Sequence, residues 1–199
     1  MYARHGRQLQ DIIDSADGLD RTRSVGVLTA AHRDDWHAAR ECLLQTSPAN
    51  ARSLRMLESA ALLVSLETSA PATHAEFSLA CHCGDGASRY FDKNFQLLVF
   101  ANGRYGFNGE HSLTDATTDM RLCNVLIRDV EAAAAAEMAV PGPVDELASG
   151  SDAAAAAAEE LSFVYTDELL GHIQNAVDYF DAQVAAHEMS ALGFDSFGK

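Results

Sequence analysis

Apolar side chains recur at helical spacing in several parts of this chain of 199 residues. Spacings of three and four residues predict amphipathic helices, because they bring side chains to one face of the helix. The pattern predicts helices over residues 7–15, over 34–44, from Asn50 onward with Asn50 as the N-cap, from beyond Asp115 to about Ala136, and over 169–189. The chain is therefore expected to be rich in helix.

A hairpin is the clearest local signal. Residues 95–100 and 104–108 are apolar and aromatic, and Asn102-Gly103 lies between them. Asn and Gly both tolerate the positive φ of a tight turn, so the pattern predicts two antiparallel strands. The apolar run at 62–66 predicts a further strand directly after the helix that starts at Asn50. Helices mixed with strands place the chain in the α/β class.

The alanine-rich segment 131–160 differs in character from the rest of the chain. It contains two runs of alanine around a Pro-Gly-Pro sequence, with few large apolar side chains to bury. Alanine favours helix, but a segment with so little apolar surface is typical of a surface insertion rather than of a core element.

Charge and composition exclude several classes of function. The chain has 14 Lys and Arg against 29 Asp and Glu, a net charge of −15, which argues against binding to nucleic acid or to anionic lipid. No apolar run approaches the roughly 20 residues that a membrane-spanning helix needs. The 4 cysteines are too few for a disulfide scaffold, so reduced thiols in an intracellular compartment are expected.

His111 is the candidate catalytic residue. It follows Gly109-Glu110 at the predicted junction between the second hairpin strand and the next helix, where a rigid strand would hold the side chain in place. An imidazole at such a position can act as a general base at neutral pH. Asp115, four residues further on, would position a partner or the imidazole itself. An ordinary surface or core histidine is the alternative interpretation.

Other polar motifs have simpler interpretations. The adjacent ligands of Cys81-His82-Cys83 cannot all face one ion, and no second cluster completes a metal site. Gly84-Asp85-Gly86 predicts a turn rather than a phosphate loop. Asp92-Lys93 is expected to be a structural ion pair or a backbone anchor for the strand rather than a catalytic pair, and Cys123 is expected to be a small core residue.

Together, the motifs resemble those of the carnitine/choline acyltransferase family. The block Arg89-Tyr-Phe-Asp-Lys, the hairpin, and Gly109-Glu-His-Ser followed by Asp115 occur in the family's order. Upstream and downstream elements also resemble the family: Gly26-Val-Leu-Thr, Arg33, Trp36, Asn50, Ser53-Leu54, and the closing Phe197-Gly-Lys at the start of a coenzyme A motif. The alanine-rich segment is the main unmatched stretch.

The resemblance implies a fold of the chloramphenicol-acetyltransferase type, in which two α/β domains enclose an active-site tunnel. Residues 1–165 would belong to the catalytic-histidine domain and 166–199 would begin the second. The implied reaction is reversible transfer of a short acyl group between acyl-CoA and carnitine. In it, His111 is the general base, Asp115 supports the site electrostatically, and Lys199 meets the CoA phosphates. Coenzyme A acts as co-substrate, and no bound cofactor and no metal are required.

The resemblance says less about the branch of the family, the location in the cell and the activity of this chain. The Gly109-Glu-His-Ser block with Asp115 is closer to the short-chain carnitine acetyltransferase branch than to choline acetyltransferase. The family works in mitochondria and peroxisomes. Its further CoA, carnitine and oxyanion contacts lie beyond the Phe-Gly-Lys element, so the alternative is a truncated, inactive relative or a partner-binding remnant. The pattern predicts no particular oligomeric state.

Overall fold

Residues 2–15, 20–135 and 159–192 are described by a computed structural model of the chain. They belong to two units, of which the larger comprises Leu19–Leu113 and Ser162–Lys199 and the smaller comprises Met1–Gly18 and Thr114–Leu161. The architecture is mixed α/β with one small sheet, as the sequence predicts at the level of fold class.

The elements follow one another along the chain with few long connections. In order they are α1 (Tyr2–Ser15), two 3-10 helices (Arg21–Arg23 and Gly26–Ala30), α2 (Arg33–Thr46), α3 (Pro48–Ser59), β1 (Leu63–Glu67), α4 (His74–His82), β2 (Gln96–Phe100), β3 (Tyr105–Asn108), α5 (Ala116–Ala135) and α6 (Asp167–Ala185). Helices α1 and α5 lie in the smaller unit and the other elements in the larger one. In the described parts of the chain, no helix combines the length and the apolar character needed to span a membrane.

The sheet has the strand order β1-β2-β3. β1 runs parallel to β2, and β2 pairs antiparallel with β3 in a register that places Leu97 opposite Phe107. The hairpin closes through a hydrogen bond of 2.9 Å from Phe100 N to Arg104 O, and Gly103 adopts a φ of 77°. Both the hairpin and the strand expected after α3 are therefore confirmed.

The core of the larger unit lies between α2, α3, α6 and the 3-10 helix Gly26–Ala30. The apolar face predicted for α2 is buried through Trp36, Ala39 and Leu43, although Cys42 on the same face is only half-buried. α6 packs against α2 and contributes Leu169 and Ile173, both fully buried. The helical spacing of these residues located the helices correctly because a buried stripe was required on each.

The start of α3 differs from the prediction. Ser47, not Asn50, caps the helix, since the Ser47 hydroxyl accepts a hydrogen bond from Ala49 N at 3.1 Å and Pro48 occupies the first turn. Pro is well suited to this position because its missing N–H would have no helical partner there. Asn50 lies inside the helix and is fully buried, so the prediction of an Asn50 cap was wrong.

Helix α4 was absent from the sequence prediction because it has no apolar stripe. Its start carries a capping box, in which Thr73 Oγ1 accepts from Glu76 N at 3.2 Å and the Glu76 carboxylate accepts from Thr73 N at 3.0 Å. Backbone hydrogen bonds from Thr73 and Ala72 lower the pKa of Glu76. The Thr-x-x-Glu spacing was therefore the signal that could have revealed the helix.

In the smaller unit, α5 confirms the helix predicted beyond Asp115. Its Met120 and Val130 are exposed, at 61% and 65% of their surface, and Cys123 is half-buried. The expectation that Cys123 is a core residue was therefore wrong. Most of the alanine-rich segment, residues 136–158, lies outside the described residues.

Candidate active site

His111 lies in a turn that directly follows β3. Its side chain is exposed, and within the described residues no hydrogen bond engages its ring. An exposed ring can be approached by a substrate, which a general base requires because one ring nitrogen must reach the substrate's proton.

The turn around His111 is held by its two neighbours. The Glu110 carboxylate accepts a hydrogen bond from Ser112 N at 2.9 Å and another from Ser112 Oγ at 2.6 Å. These bonds span the histidine, and they restrict the backbone on both sides of it. The Glu-His-Ser sequence therefore has a local structural function whatever the ring does.

The end of β3 is fixed to two other elements through Asn108. The Gln96 side chain donates to Asn108 Oδ1 at 3.0 Å, and Asn108 Nδ2 donates to the carbonyl oxygens of Cys81 and His82 at 3.2 and 2.9 Å. Gln96 is fully buried and also accepts from Tyr90 N at 2.8 Å. The strand that precedes His111 is thus bonded to β2 and to the last turn of α4. The prediction from sequence did not include this function of Gln96 and Asn108.

Arg33 and Asp92, two motif residues, form an ion pair in the larger unit. The Asp92 carboxylate accepts from both terminal nitrogens of Arg33, at 2.8 and 3.1 Å, and from Trp36 Nε1 at 2.8 Å. The hydrogen bond to Asp92 raises the pKa of Arg33, and the negative charge of Glu110 raises it further. This interaction places the guanidinium within the electrostatic reach of the turn that carries His111.

Lys93, the next residue, is a backbone anchor. Its buried ammonium donates to the carbonyl oxygens of Leu57, Glu58 and Ala60 at 2.7, 3.0 and 2.9 Å, at the C-terminal end of α3. A cation is favourable there because these carbonyls carry the negative end of the helix dipole. The interpretation of Asp92-Lys93 as structural is therefore confirmed, but its expected form was wrong: Asp92 pairs with Arg33, and Lys93 anchors the end of α3 rather than the strand.

Arg89 begins the same motif and is a buried structural residue. It ion-pairs with Glu67 at the end of β1, and it also donates to Ser88 Oγ at 2.8 Å and to Ala80 O at 2.7 Å. The side chain of Arg89 is fully enclosed, so it joins β1 to α4 rather than facing a ligand. The adjoining Gly84 and Gly86 have φ values of 56° and 78°, which confirms the predicted turn.

A cavity of about 530 Å³ adjoins the segment that leads to His111. It is bounded by the 3-10 helix Gly26–Ala30, the end of α4, the end of β3 and the C-terminal part of α6. Its lining residues include Thr29, Phe91, Asn108, Gly109, Phe180 and Met189. The volume lies within the range of small-molecule sites. His82 and Cys83 also line the cavity, and burial raises the pKa of the Cys83 thiol, which favours its neutral form.

The Asp115 carboxylate forms hydrogen bonds at the start of the helix that follows it. The carboxylate accepts from Thr117 N at 3.0 Å and Thr118 N at 3.2 Å, so it caps the start of α5. Asp115 belongs to the smaller unit, whereas His111 belongs to the larger one. Lys199 lies outside the described residues.

Comparison with known proteins identifies the family. The sequence model of the family described as Choline/Carnitine o-acyltransferase matches residues 5–199. The mitochondrial carnitine O-acetyltransferase of Saccharomyces cerevisiae is 27% identical over 195 residues, which are 97% of this chain and 28% of that protein. The peroxisomal carnitine O-octanoyltransferase of Bos taurus is 27% identical over 185 residues, with 88% of this chain and 28% of that protein covered.

A third relative is the mitochondrial carnitine O-palmitoyltransferase 2 of Homo sapiens, 28% identical over 176 residues, with 88% of this chain and 25% of that protein covered. The chain thus spans between 25% and 28% of the length of these three relatives. Because the match to the family covers almost every residue, the chain belongs to the Choline/Carnitine o-acyltransferase family.

Proposed function

We propose that this chain carries the catalytic base of a carnitine O-acyltransferase and that His111 is that base. Family membership over residues 5–199, together with the Glu110–Ser112 bonds that hold the His111 turn, is the observation that carries the proposal. The exposed ring, and a cavity of about 530 Å³ that is lined by Asn108 and Gly109 just before His111 in sequence, support it further.

In the proposed reaction, a neutral imidazole accepts the proton of the carnitine hydroxyl. The resulting alkoxide oxygen attacks the thioester carbonyl carbon of acyl-CoA, and the tetrahedral intermediate then collapses with cleavage of the carbon–sulfur bond. The CoA thiolate takes the proton from the imidazolium, so that acylcarnitine and CoA leave a histidine in its starting state. Every step is reversible, because the same ring donates and accepts the same proton.

Other groups have supporting functions in the proposal. Asp115 supplies negative charge to the site, and Lys199 pairs with the phosphates of CoA through charge-assisted hydrogen bonds. The whole protein would adopt the chloramphenicol-acetyltransferase-like fold, with residues 1–165 in its first domain and 166–199 at the start of the second. The parallel pairing of β1 and β2 within a mixed sheet is consistent with that class.

The test is CoA release from acetyl-CoA and carnitine, measured with the native polypeptide that carries this sequence. Replacement of His111 by Ala is expected to lower kcat by about 10²–10⁴-fold, the usual contribution of a general base. His37→Ala is the matched control, since His37 is an exposed histidine on α2. Equal turnover by the wild type and His111→Ala would exclude His111 as the base. If the native protein releases no CoA with any acyl group, it is the inactive relative or partner-binding remnant.

We further propose a short acyl substrate and a mitochondrial or peroxisomal location. The three relatives are named for acetyl, octanoyl and palmitoyl groups, and two are named mitochondrial and one peroxisomal. Comparison of kcat/KM for acetyl-, octanoyl- and palmitoyl-CoA tests the first proposal, and the highest value should belong to acetyl-CoA. Replacement of carnitine by choline should remove the activity. Organelle fractionation of cells that contain the protein tests the second.

The proposed contact of Lys199 with CoA has a separate test. Lys199→Ala should raise KM for acetyl-CoA and leave KM for carnitine unchanged. With acetyl-pantetheine, which lacks the nucleotide phosphates, the wild type and the variant should behave alike. A similar loss with both acyl donors would contradict a phosphate contact.

A further inference from the structure

We propose that Cys42, Glu168 and His172, three residues that the proposed acyl transfer does not use, form a zinc site that joins α2 to α6. One potential ligand atom from each residue lies within 4.8 Å of the other two. The cluster is separate from Cys81-His82-Cys83, where the sequence drew attention to metal ligands.

The helices determine this arrangement. Glu168 and His172 are four residues apart on α6, so their side chains project from the same face. Cys42 projects from α2, which packs against α6 within the larger unit. A thiol from one helix thereby meets a carboxylate and an imidazole from another, which is a metal-ligand arrangement that neither helix could form alone.

The three side chains have no other polar partner within the described parts of the chain. This is unlike Asp181 on the same helix, which pairs with Arg21 at 2.6 Å, and unlike the Cys83 thiol, which donates to Leu79 O at 3.3 Å. Cys42 and His172 are half-buried and Glu168 is exposed. The donor set is therefore open to solvent on one side, through which an ion can enter.

The chemistry of the donors favours zinc. Zn²⁺ is bound by thiolate, imidazole and carboxylate at about 2.0–2.3 Å, usually as a tetrahedron, whereas Mg²⁺ and Ca²⁺ require oxygen ligands. In such a tetrahedron the ligand atoms lie about 3.3–3.8 Å apart, so small side-chain rotations would close the present arrangement around an ion. Water would occupy the fourth position.

Charge also balances at this site. Binding requires the Cys42 thiol to release its proton to solvent, and the resulting thiolate and the Glu168 carboxylate together carry two negative charges. One Zn²⁺ neutralises both. The bound ion would connect residue 42 with residues 168 and 172, and it would stabilise the packing of α2 on α6 because it binds the folded chain preferentially.

The test uses the full chain with its thiols reduced and Co²⁺ as a spectroscopic substitute for Zn²⁺. The wild type should bind one equivalent, with a thiolate-to-cobalt charge-transfer absorption that added Zn²⁺ displaces. Cys42→Ser should abolish that absorption, and His172→Gln should raise the dissociation constant at least tenfold. Cys123→Ser and His187→Gln are the matched controls. Cys123 is a half-buried thiol and His187 an exposed histidine, both outside the cluster, so both variants should bind the metal like the wild type.

A thermal measurement separates loss of the site from loss of the fold. Zn²⁺ should raise the melting temperature of the wild type and of both controls, but not that of Cys42→Ser or His172→Gln, whose circular dichroism without metal should match the wild type. Either of two results would overturn the proposal. One is an unchanged charge-transfer absorption in Cys42→Ser, and the other is a wild type that binds no stoichiometric cobalt or zinc.

Discussion

Asn50 and Val164 exchange two hydrogen bonds across the larger unit. Asn50 Nδ2 donates to Val164 O at 2.9 Å, and Val164 N donates to Asn50 Oδ1 at 2.7 Å. The amide thus pairs with both backbone groups of one residue, as a neighbouring strand would. A third bond, from Ser53 Oγ to Ser162 O at 2.8 Å, lies one helical turn further on. These contacts fix the segment before α6 to the buried face of α3.

Replacement of Asn50 by Ala should destabilise the chain by about 2 kcal/mol, because it removes both bonds and leaves the backbone of Val164 without its partners. Ser53→Ala, which removes a single bond, should cost about 1 kcal/mol. Urea unfolding monitored by circular dichroism measures both free energies. If Asn50→Ala costs no more than Ser53→Ala, the paired geometry at Val164 contributes nothing beyond one hydrogen bond.

Arg89 should be one of the least replaceable residues of the larger unit. Arg89→Met leaves the Glu67 carboxylate buried without its cation, and removal of one partner of a buried pair typically costs about 3–5 kcal/mol. Arg89→Lys should not restore stability, because an ammonium cannot reproduce the planar fork that contacts Glu67 and Ala80 O together.

The matched control for Arg89 is Arg40→Met, which breaks a pair with Glu58 whose side chains are 35% and 32% exposed. Solvent screening should limit that loss to about 1 kcal/mol or less. The comparison of melting curves is decisive, since equal losses for Arg89→Met and Arg40→Met would contradict a special role for the buried pair.

Two substitutions of Asp115 distinguish its helix-capping function from the effect of its negative charge. Asp115→Asn retains an oxygen that can accept from Thr117 N and Thr118 N, so α5 should keep its stability, whereas Asp115→Ala should lose about 1 kcal/mol. If the carboxylate charge supports catalysis as proposed, Asp115→Asn should lower kcat in the native polypeptide without lowering its melting temperature. Unchanged kcat in Asp115→Asn would limit Asp115 to helix capping.

Stability should fall at high pH through Tyr90. Burial raises the pKa of the Tyr90 phenol, and the negative charges of Glu58 and Asp92 raise it further. The folded chain therefore retains this proton above pH 10, where an unfolded tyrosine ionises, so the contribution is complete below about pH 10 and is lost as the pH rises further. Lys93 has the opposite effect on stability. Burial lowers the pKa of its ammonium, so the stability that Lys93 contributes rises as the pH approaches the pKa of lysine in the unfolded chain.

Tyr90→Phe isolates the tyrosine effect. Above pH 10, the unfolding free energy of the wild type should fall relative to that of Tyr90→Phe by about 1.4 kcal/mol per pH unit. Tyr105→Phe is the control because Tyr105 is exposed on β3. Urea unfolding at pH 8, 10 and 11 provides the measurement, and a constant difference across that range would show that Tyr90 does not couple folding to protons.

The sequence alone was sufficient for the elements whose apolar residues repeat regularly. The stripe through Trp36 and Leu43 located α2, and the Asn102-Gly103 turn between two apolar runs located the hairpin. These signals are local, because the side chains that define them lie within a few residues of one another. The Glu-His-Ser block was recognised through its resemblance to the family's motif, and its turn is made by bonds between Glu110 and Ser112, two residues apart.

Only the tertiary structure decided which polar residues meet. Asn50 is a good N-cap by type, yet it is buried against Val164 because Ser47 and Pro48 start the helix earlier. Lys93 binds the end of α3 rather than its neighbour in sequence. Cys42 meets Glu168 and His172 only because α2 packs on α6. Such contacts join positions far apart in the chain, where the spacing of residue types carries no information about distance, so they depend on how the helices pack.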